Sequence, residues 1–555
     1  MAARLRSLST SIAGWHGDER TVGTPLGDAE LVALRRTRLF GATGTVLMAI
    51  GALGAGARPV VQDPTFGVRL LNLPSRIQTV SLTMTTTGAV MMALAWLMLG
   101  RFAVGKHRMT RGQLDRTLVL WILPLLVAPP MYSKDVYSYL AQSQIAHNGL
   151  DPYRVGPAPG LGLDHVFTLS VPSLWRETPA PYGPLFLWIG SGISELTGEN
   201  IVAAVLCHRL LVLLGVALIV WATPRLARRC GVAEVSALWL GAANPLLVMH
   251  LVAGIHNEAL MLGLMLAGVE FALRGIDSSK RMLPRPLLPL GARWAPAAML
   301  VVGAVLITMS SQVKLPSLLA LGFVAMALGC RWGSTVKAFF LASGGLGLLS
   351  LAVMALIGWA SGLGFGWLST LGTANVVRSW MSPPTLLALG TGQVGILLGL
   401  GDHTTAVLSL TRSIGVLIIM VVVTWLLLAV FRGRLHPVGG LGVALGATVL
   451  LFPVVQPWYL LWAIIPLAAW ATRPGFRIAA IGGTLVVGIF GPTANGDRFA
   501  LFQIVDATLA STVIVLLLIA ITYRRLPWRP VPPDEPGSTP ANSRNGPADA
   551  YAESP

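Results

Sequence analysis

The sequence predicts an all-α polytopic membrane protein. Of its 555 residues, 54% are hydrophobic and only 11% are charged, and the mean hydropathy is +0.70. A soluble protein of this composition would have too little polar surface to cover its interior. The apolar residues fall in runs of about 20, the length that crosses a bilayer as a helix. Lys and Arg collect in the short loops between these runs, so the net charge of +17 reflects membrane topology rather than nucleic-acid binding.

The apolar runs and basic loops together predict about 14 spanning helices, with both termini in the cytoplasm. Arg35, Arg36 and Arg38 place the start of the first span inside, and later basic clusters mark each return to that side. No apolar signal-peptide region precedes this span, so we expect it to be an uncleaved anchor. The predicted spans are 39–57, 79–100, 117–130, 201–223, 236–251, 257–273, 295–309, 316–329, 338–359, 404–430, 441–455, 458–471, 478–490 and 501–523.

This topology divides the chain into three parts. A polar cytoplasmic N-terminus covers 1–36, a transmembrane catalytic domain covers 37–525, and a segment rich in Pro, Ser, Asn and Gly predicts a disordered cytoplasmic tail over 526–555. The short loops and spans contain three cysteines without metal-ligand spacing, so neither a disulfide framework nor a zinc site is expected.

Two long loops fall on the outer, periplasmic face of this topology. The loop 131–199 is far longer than ordinary connections, and such loops are usually functional. We expect interfacial helices in it at 138–147 and 183–196, because a span at 183–196 would force the basic cluster after the next helix outside. A second outer loop, 360–403, predicts a further interfacial helix up to residue 400.

The stretch from Tyr132 to Tyr153 is the leading site candidate. Asp135 is the first acidic residue after the third span, and a charge at the edge of hydrocarbon is costly unless it is solvated or used. Asp135 or Glu258 could remove a proton from a sugar hydroxyl. An aspartate in this position also has a structural interpretation, as a helix cap or a solvated loop end. The polar and aromatic neighbours expected to bind substrate are Tyr132, Lys134, Tyr137 and Tyr139.

A leaving phosphate would need fixed positive charge, which Lys314, Arg378, Arg154 or His256 could supply. Lys314 could equally extend its ammonium to the membrane surface. Asn257 and Glu258 open a helix, where a cap and a first-turn acid have a purely structural explanation. In the same way, the segment Gln456-Pro-Trp-Tyr459 is either an interfacial aromatic turn or part of a substrate platform.

Several motifs together resemble the actinobacterial alpha-(1→6)-mannopyranosyltransferases of lipomannan biosynthesis, which have the GT-C fold. The resemblance covers nearly all of 35–525. The block from Arg36-Thr-Arg-Leu-Phe-Gly through Ala57-Arg-Pro-Val and the segment Trp175-Arg-Glu-Thr-Pro are most similar to the B-type enzymes, which start the mannan backbone; the A-type enzymes, which extend it, are the alternative. Its motifs are Tyr132-Ser-Lys-Asp-Val-Tyr-Ser-Tyr139, Gly149-Leu-Asp-Pro-Tyr153, Thr178-Pro-Ala-Pro-Tyr-Gly-Pro-Leu185, Asn244-Pro-Leu-Leu, Gly254-Ile-His-Asn-Glu258 and Gln456-Pro-Trp-Tyr459.

The resemblance implies a donor, an acceptor and a set of roles. The donor would be decaprenyl-phosphate-mannose on the periplasmic side, and the acceptor a mannosylated lipid such as a phosphatidylinositol mannoside. Asp135 matches the position of the catalytic acid and would act as the base of an inverting single displacement. Tyr182, Asn257, Glu258 and the Gln456–Tyr459 motif would join the substrate site. Lys134 stands where related enzymes often have a second acid, so a divalent metal is not favoured and no metal ligand is assigned.

Two other functions fit a chain of this composition. A flippase or transporter of envelope lipids would explain the many glycines and the intramembrane prolines, but it predicts charged residues deep in the spans, which are nearly absent. A scaffold of a cell-wall complex, without activity of its own, is the third alternative.

Overall fold

The protein is helical in the computed structural model, which describes residues 12, 14–19, 23–105, 107–278, 290–373, 378–379, 381–490 and 499–529. Within these residues there is no β-strand apart from one isolated bridge, between Thr24 and His107. Most of the predicted tail lies outside the described residues. The all-α polytopic class predicted from the sequence is confirmed.

Helices follow one another along the chain with short connections. The first eleven are α1 Asp28–Ala55, α2 Arg69–Arg76, α3 Gln78–Val104, α4 Arg111–Ile122, α5 Asp135–His147, α6 Pro157–Leu161, α7 Val166–Ser170, α8 Ser173–Arg176, α9 Pro184–Thr197, α10 Ile201–Cys230 and α11 Glu234–Gly241. The next ten are α12 Glu258–Ser278, α13 Leu290–Ser311, α14 Leu319–Arg331, α15 Val336–Ala360, α16 Pro383–Leu397, α17 Thr404–Phe431, α18 Pro437–Leu451, α19 Leu460–Ala468, α20 Pro474–Phe490 and α21 Leu501–Thr522.

Eight helices of the described chain are long and apolar enough to cross a membrane, namely α1, α3, α10, α12, α13, α15, α17 and α21. Shorter apolar helices cover Leu315–Arg331, Pro437–Leu451, Pro457–Ala468 and Pro474–Phe490. The predicted third span corresponds to α4, which continues directly into the turn Leu123–Leu126, and the predicted fifth span corresponds to α11 and the π-helix Leu247–Ala253, which a short turn separates. The count of about 14 spans therefore stays a prediction.

The long loop contains the short helices expected of it. Helix α5 begins at Asp135, three residues before the predicted start, and α9 covers the segment that was expected to lie along the membrane surface. Helix α16 lies within 360–403, where a further helix was predicted. The sequence analysis missed α2, a helix of 8 residues between the first two spans.

Irregular helical turns concentrate at one end of the bundle. Four of them connect to the segments discussed below: 3₁₀ turns at Leu123–Leu126, Leu315–Leu318 and Pro457–Tyr459, and a π-helix at Leu247–Ala253. Each 3₁₀ turn contains a proline, which lacks the N–H that a continuous α-helix would need. In hydrocarbon, irregular backbone is tolerated only where it is buried in protein or lines a cavity.

Close packing of glycines joins α1 to α3. A Cβ atom on Gly88 would lie 2.3 Å from the carbonyl oxygen of Gly44, and one on Gly44 would lie 2.7 Å from the carbonyl oxygen of Gly88. Neither contact leaves room for a methyl group, so the two backbones touch directly. Small residues allow this kind of approach between helices in membranes.

We predict that Gly88→Ala lowers the free energy of unfolding by about 1–3 kcal/mol, because the new methyl group forces α1 and α3 apart. The matched control is Gly345→Ala in α15, where a Cβ atom would meet nothing within 4 Å. Chemical denaturation in detergent measures both variants. Equal stability of the two variants would contradict the proposed packing.

Candidate functional site

A cavity of about 1710 Å³ lies at the end of the bundle where the irregular turns occur. Segments distant in the sequence form its walls: the loop 58–66, the segment 132–135, the segment 169–176, the turn at 314–316 and the turn at 454–459. One side reaches between spanning helices, where Leu319, Ile419, Thr448 and Phe452 line it. The cavity therefore has one mostly apolar side, while charged residues such as Asp135 and Lys314 lie elsewhere in its wall.

Asp135 lies deep in the protein, with 29% of its side chain exposed where it lines the cavity. Its backbone N–H donates a hydrogen bond to Ser133 Oγ at 3.0 Å. Burial raises the pKa of Asp135 to about 6, and the nearby Glu258 carboxylate raises it as well. The Ser133 hydroxyl and the Lys314 ammonium act in the opposite direction and lower this pKa. A carboxyl group with this pKa can exchange a proton near neutral pH, which is the requirement for general-base catalysis.

Lys314 forms an ion pair with Glu258, whose side chain is only 1% exposed. The same ammonium donates a hydrogen bond to the Tyr459 hydroxyl at 3.0 Å and lies 4.6 Å from the centre of the Tyr459 ring. Burial lowers the pKa of Lys314, but the attraction of Glu258 and Tyr459 outweighs burial and holds this pKa above its usual value. The cavity wall thus carries a fixed positive charge.

His256 lies against Asp135, with 3.6 Å between its Nδ1 and the carboxylate Oδ2. The indole of Trp458 stacks on the imidazole, with 3.6 Å between ring centres and 20° between planes, and so fixes its orientation. Burial lowers the pKa of His256, and the Lys314 charge adds to this effect, so the ring is neutral. His256 does not line the cavity. The structure therefore places it beside the carboxylate, where the sequence analysis expected it at a phosphate.

Backbone strain occurs in both segments that meet at Asp135. Tyr132 has φ = 63° and Ile255 has φ = 57°, although neither is a glycine. A positive φ is a true outlier for a β-branched residue such as Ile255, and such strain persists only where the surrounding structure imposes it. Here a hydrogen bond from Met131 N–H to the Ala253 carbonyl at 2.9 Å joins the two segments and helps to hold the strained backbone in place.

Buried polar atoms without a hydrogen-bond partner cluster behind Asp135. They belong to the side chains of His250, His256, Asn257 and Gln312, and to the second carboxylate oxygen of Glu258. Buried polar groups are normally paired with protein or ordered water, so such a cluster marks a site where water or a ligand completes the bonding. In the described part of the chain, no three His, Cys, Asp or Glu side chains are arranged to hold a metal ion.

Eight of the residues singled out in the sequence line the cavity, and the others do not. Those in the wall are Tyr132, Lys134, Asp135, Tyr182, Lys314, Gln456, Trp458 and Tyr459. Asn257 and Glu258 are buried behind the wall, where Glu258 acts through Lys314.

Three further residues that the sequence analysis singled out do not line the cavity. The Tyr137 hydroxyl donates to the Ala57 carbonyl at 2.6 Å, and its side chain is buried away from the cavity. Tyr139 is buried and packs edge-on against Phe186. Arg378 is exposed and does not line the cavity, whose positive charges come from Lys314, Lys134, Arg58 and Arg176.

Arg209 is a residue that the sequence analysis missed. It lies in the span α10, is 2% exposed, and donates hydrogen bonds to the carbonyl oxygens of Leu126 and Ala128. These carbonyls end the third span, just before the strained turn that leads to Asp135. An arginine inside an apolar run is itself the signal that could have identified it, because such residues are costly in a membrane unless they have a role.

These features describe a multi-pass membrane protein with a buried carboxylate and a fixed cation in one cavity. A family profile for "Alpha-(1->6)-mannopyranosyltransferase, N-terminal domain" matches residues 38–330, and one for "MptB C-terminal domain" matches residues 384–520. The chain therefore belongs to the alpha-(1→6)-mannopyranosyltransferase family, as the sequence motifs predicted.

Individual relatives agree with this assignment. An alpha-(1→6)-mannopyranosyltransferase of Mycobacterium tuberculosis is 75% identical over 100% of both chains. The alpha-(1→6)-mannopyranosyltransferase B of Corynebacterium glutamicum is 39% identical over 82% of this chain and 76% of that one. Among solved structures, the oligosaccharyltransferase AglB of Archaeoglobus fulgidus matches with a TM-score of 0.35 and 12% identity, over 84% of this chain and 62% of that chain.

We predict that Lys314→Met and Glu258→Gln each lower the free energy of unfolding by about 3 kcal/mol, because each leaves a buried partner uncompensated. The double variant should lose much less than the sum of the two, and chemical denaturation in detergent measures all three. The control is the cycle of Arg154→Met and Asp151→Asn, a pair whose side chains are 85% and 43% exposed; its coupling should be near zero. Additive losses at Lys314 and Glu258 would contradict a stabilising ion pair.

Proposed function

We propose that this protein transfers mannose from a polyprenyl-phosphate-mannose donor to a mannosylated lipid, forming an alpha-(1→6) link. The observation that carries this proposal is the placement of Asp135 and Lys314 in the same cavity wall, with Glu258 paired to Lys314 from behind it. A base and a fixed positive charge are what a sugar transfer from a lipid phosphate requires. Membership of the family and the printed names of its relatives support mannose and the alpha-(1→6) link.

The donor occupies the side of the cavity that reaches between spanning helices. Leu319, Ile419 and Phe452 line that side and offer apolar surface to a polyprenyl chain. Lys314 is at the same cavity wall and can neutralise the donor phosphate. The ion pair leaves room for this role. The Lys314 ammonium has three donor hydrogens, of which one bonds Glu258 and one bonds the Tyr459 hydroxyl, so the third can bond the phosphate.

The reaction is a single displacement. The acceptor 6-hydroxyl attacks the anomeric carbon, its proton passes to the Asp135 carboxylate, and the bond from that carbon to the phosphate oxygen breaks. The bonding electron pair stays on the phosphate, whose added charge is stabilised by Lys314. His256 lies beside this carboxylate at 3.6 Å, and the attack inverts the configuration at the anomeric carbon. No group outside the protein and its two substrates is needed for this scheme.

The site faces the periplasm in this proposal, and both termini are cytoplasmic. Basic residues at the ends of the spans remote from the cavity support that orientation, among them Arg101, Arg228 and Arg229. Arg229 is paired there with Glu270 and Asp277. A cavity open to the periplasm suits a lipid donor, because a nucleotide sugar would have to come from the other side.

We predict that Asp135→Asn abolishes mannose transfer, since an amide cannot accept the proton of the acceptor. Purified protein in detergent, with a polyprenyl-phosphate-mannose donor and a mannosylated phosphatidylinositol acceptor, provides the assay. Asp164→Asn, an exposed acid of the same loop, is the matched control and should keep wild-type transfer. Full transfer by Asp135→Asn would remove the base from this scheme, while absence of transfer by the wild type would overturn the proposed reaction.

The pH dependence tests the same base. Because Asp135 must be ionised and its pKa is about 6, kcat/KM should fall as the pH drops through about 6. Glu258→Gln removes a negative charge that raises this pKa, so its acid limb should move to lower pH; Lys314→Met should move it to higher pH. An acid limb that neither substitution moves would assign the titration to another group.

A further inference from the structure

Helix α2, whose Ser75 lines the cavity, has apolar and basic residues and buries none of them. Among its side chains, Leu70 is 79% exposed, and Arg69 and Arg76 at its two ends are also exposed. Just before the helix, Phe66 is 82% exposed and lines the cavity. A helix of 8 residues has little stability of its own in water. Apolar and basic side chains of this kind are instead typical of a helix lying in the membrane interface.

The position of α2 agrees with that environment. It follows the end of span α1 at Ala55 and precedes the start of span α3 at Gln78, so it lies at the level where both spans leave the bilayer. It is held closely there: a Cβ atom on Gly54 would lie 2.2 Å from the Pro74 carbonyl oxygen, and the Ser81 hydroxyl donates to that carbonyl at 2.7 Å. The helix is thus fixed by backbone contacts, and its apolar side chains remain free.

Arg58 connects α2 to the cavity wall. Its guanidinium pairs with Asp63, donates to Asn72 Oδ1 of α2 at 3.3 Å, and lines the cavity. The loop that carries it is joined to the opposite wall, because Val60 N–H donates to Ser170 Oγ at 3.1 Å. We call Arg58, Val60, Phe66 and Ser75 the entrance wall; all four line the cavity and all belong to the segment between α1 and α3.

We propose that α2 and the entrance wall bind an anionic phospholipid headgroup and admit the lipid acceptor to the cavity, by a route separate from the apolar side that holds the donor chain. Charge favours an anionic lipid: the segment 56–77 has three arginines and one acid, and that acid is already paired with Arg58. The opposite wall adds Ser170, Ser173 and Trp175, which suit sugar hydroxyls and a sugar face. This inference rests on the proposed function for the identity of the acceptor.

Photolabelling tests the binding without requiring transfer. The full protein is placed in phosphatidylcholine nanodiscs that contain a photoactivatable phosphatidylinositol, and adducts are mapped by mass spectrometry. We expect adducts within 58–77 that a mannosylated phosphatidylinositol displaces, and about fivefold less labelling for each of Arg69→Gln and Arg76→Gln. The control Arg154→Gln removes an exposed arginine that is outside the cavity wall and should label as the wild type does.

Two results would overturn the inference: adducts confined to other segments, or equal labelling of 58–77 by a photoactivatable phosphatidylcholine. Kinetics supply the second readout. In Arg69→Gln/Arg76→Gln, the KM for the lipid acceptor should rise while the KM for the donor stays unchanged, and a rise in the donor KM alone would contradict the separate route. Specific labelling by a wild-type protein that transfers no mannose would support the lipid site and overturn only the reaction.

Discussion

The ion pair of Lys314 and Glu258 is the interaction on which the cavity depends. It joins the start of α12 to the turn before α14, at a depth where an unpaired charge would be very costly. Tyr459 extends the contact to a third segment, and its ring stacks on Trp462 with 4.3 Å between centres. A buried charge pair of this kind determines which segments must meet. Both charges of the pair also act on the pKa of Asp135, Glu258 raising it and Lys314 lowering it, so the same contact contributes to the fold and to the chemistry of the wall.

The helix interruptions follow from this arrangement. A regular spanning helix satisfies its own backbone and has no free N–H or C=O to offer, so side chains at its surface are the only groups that can form a site. Here the third span ends early. The buried Arg209 side chain donates hydrogen bonds to the carbonyl oxygens of Leu126 and Ala128, and these bonds offset the free-energy cost of its burial. The chain can then turn sharply at Tyr132 and present Asp135 as the first residue of a new helix.

The sequence identified candidate site residues wherever a single charged residue lay next to an apolar run. Asp135, Glu258 and Lys314 were identified in this way, and the structure places them close together. Arg378 was selected by charge and predicted topology alone, and these criteria do not specify which loops converge. His256 was expected at the donor phosphate, whereas its position beside Asp135 depends on the Trp458 ring from a segment about 200 residues away.

The short helix α2 escaped detection for a different reason. Its eight residues contain a proline and two arginines, so neither hydropathy nor the positions of basic clusters distinguishes it from a loop. The helix is held by contacts with the two neighbouring spans. Its Pro74 carbonyl lies close to Gly54 of α1 and accepts a hydrogen bond from the Ser81 hydroxyl of α3. The pattern of apolar residues in so short a segment does not reveal a helix whose formation depends on contacts with neighbouring helices.

The packing of α21 against α3 has a consequence for biosynthesis. Ser511 donates to the Thr83 carbonyl at 3.1 Å, and Arg101 donates to the Trp528 carbonyl at 2.9 Å. The first of these contacts joins residues 428 positions apart, so at about 5–20 residues per second the ribosome needs roughly 20–90 seconds between them. Throughout that interval, one face of α3 is covered by lipid or by the insertion machinery. The nascent chain consequently spends most of its synthesis as a partial bundle, in which the surface of α3 that later packs against α21 is accessible to quality-control proteases.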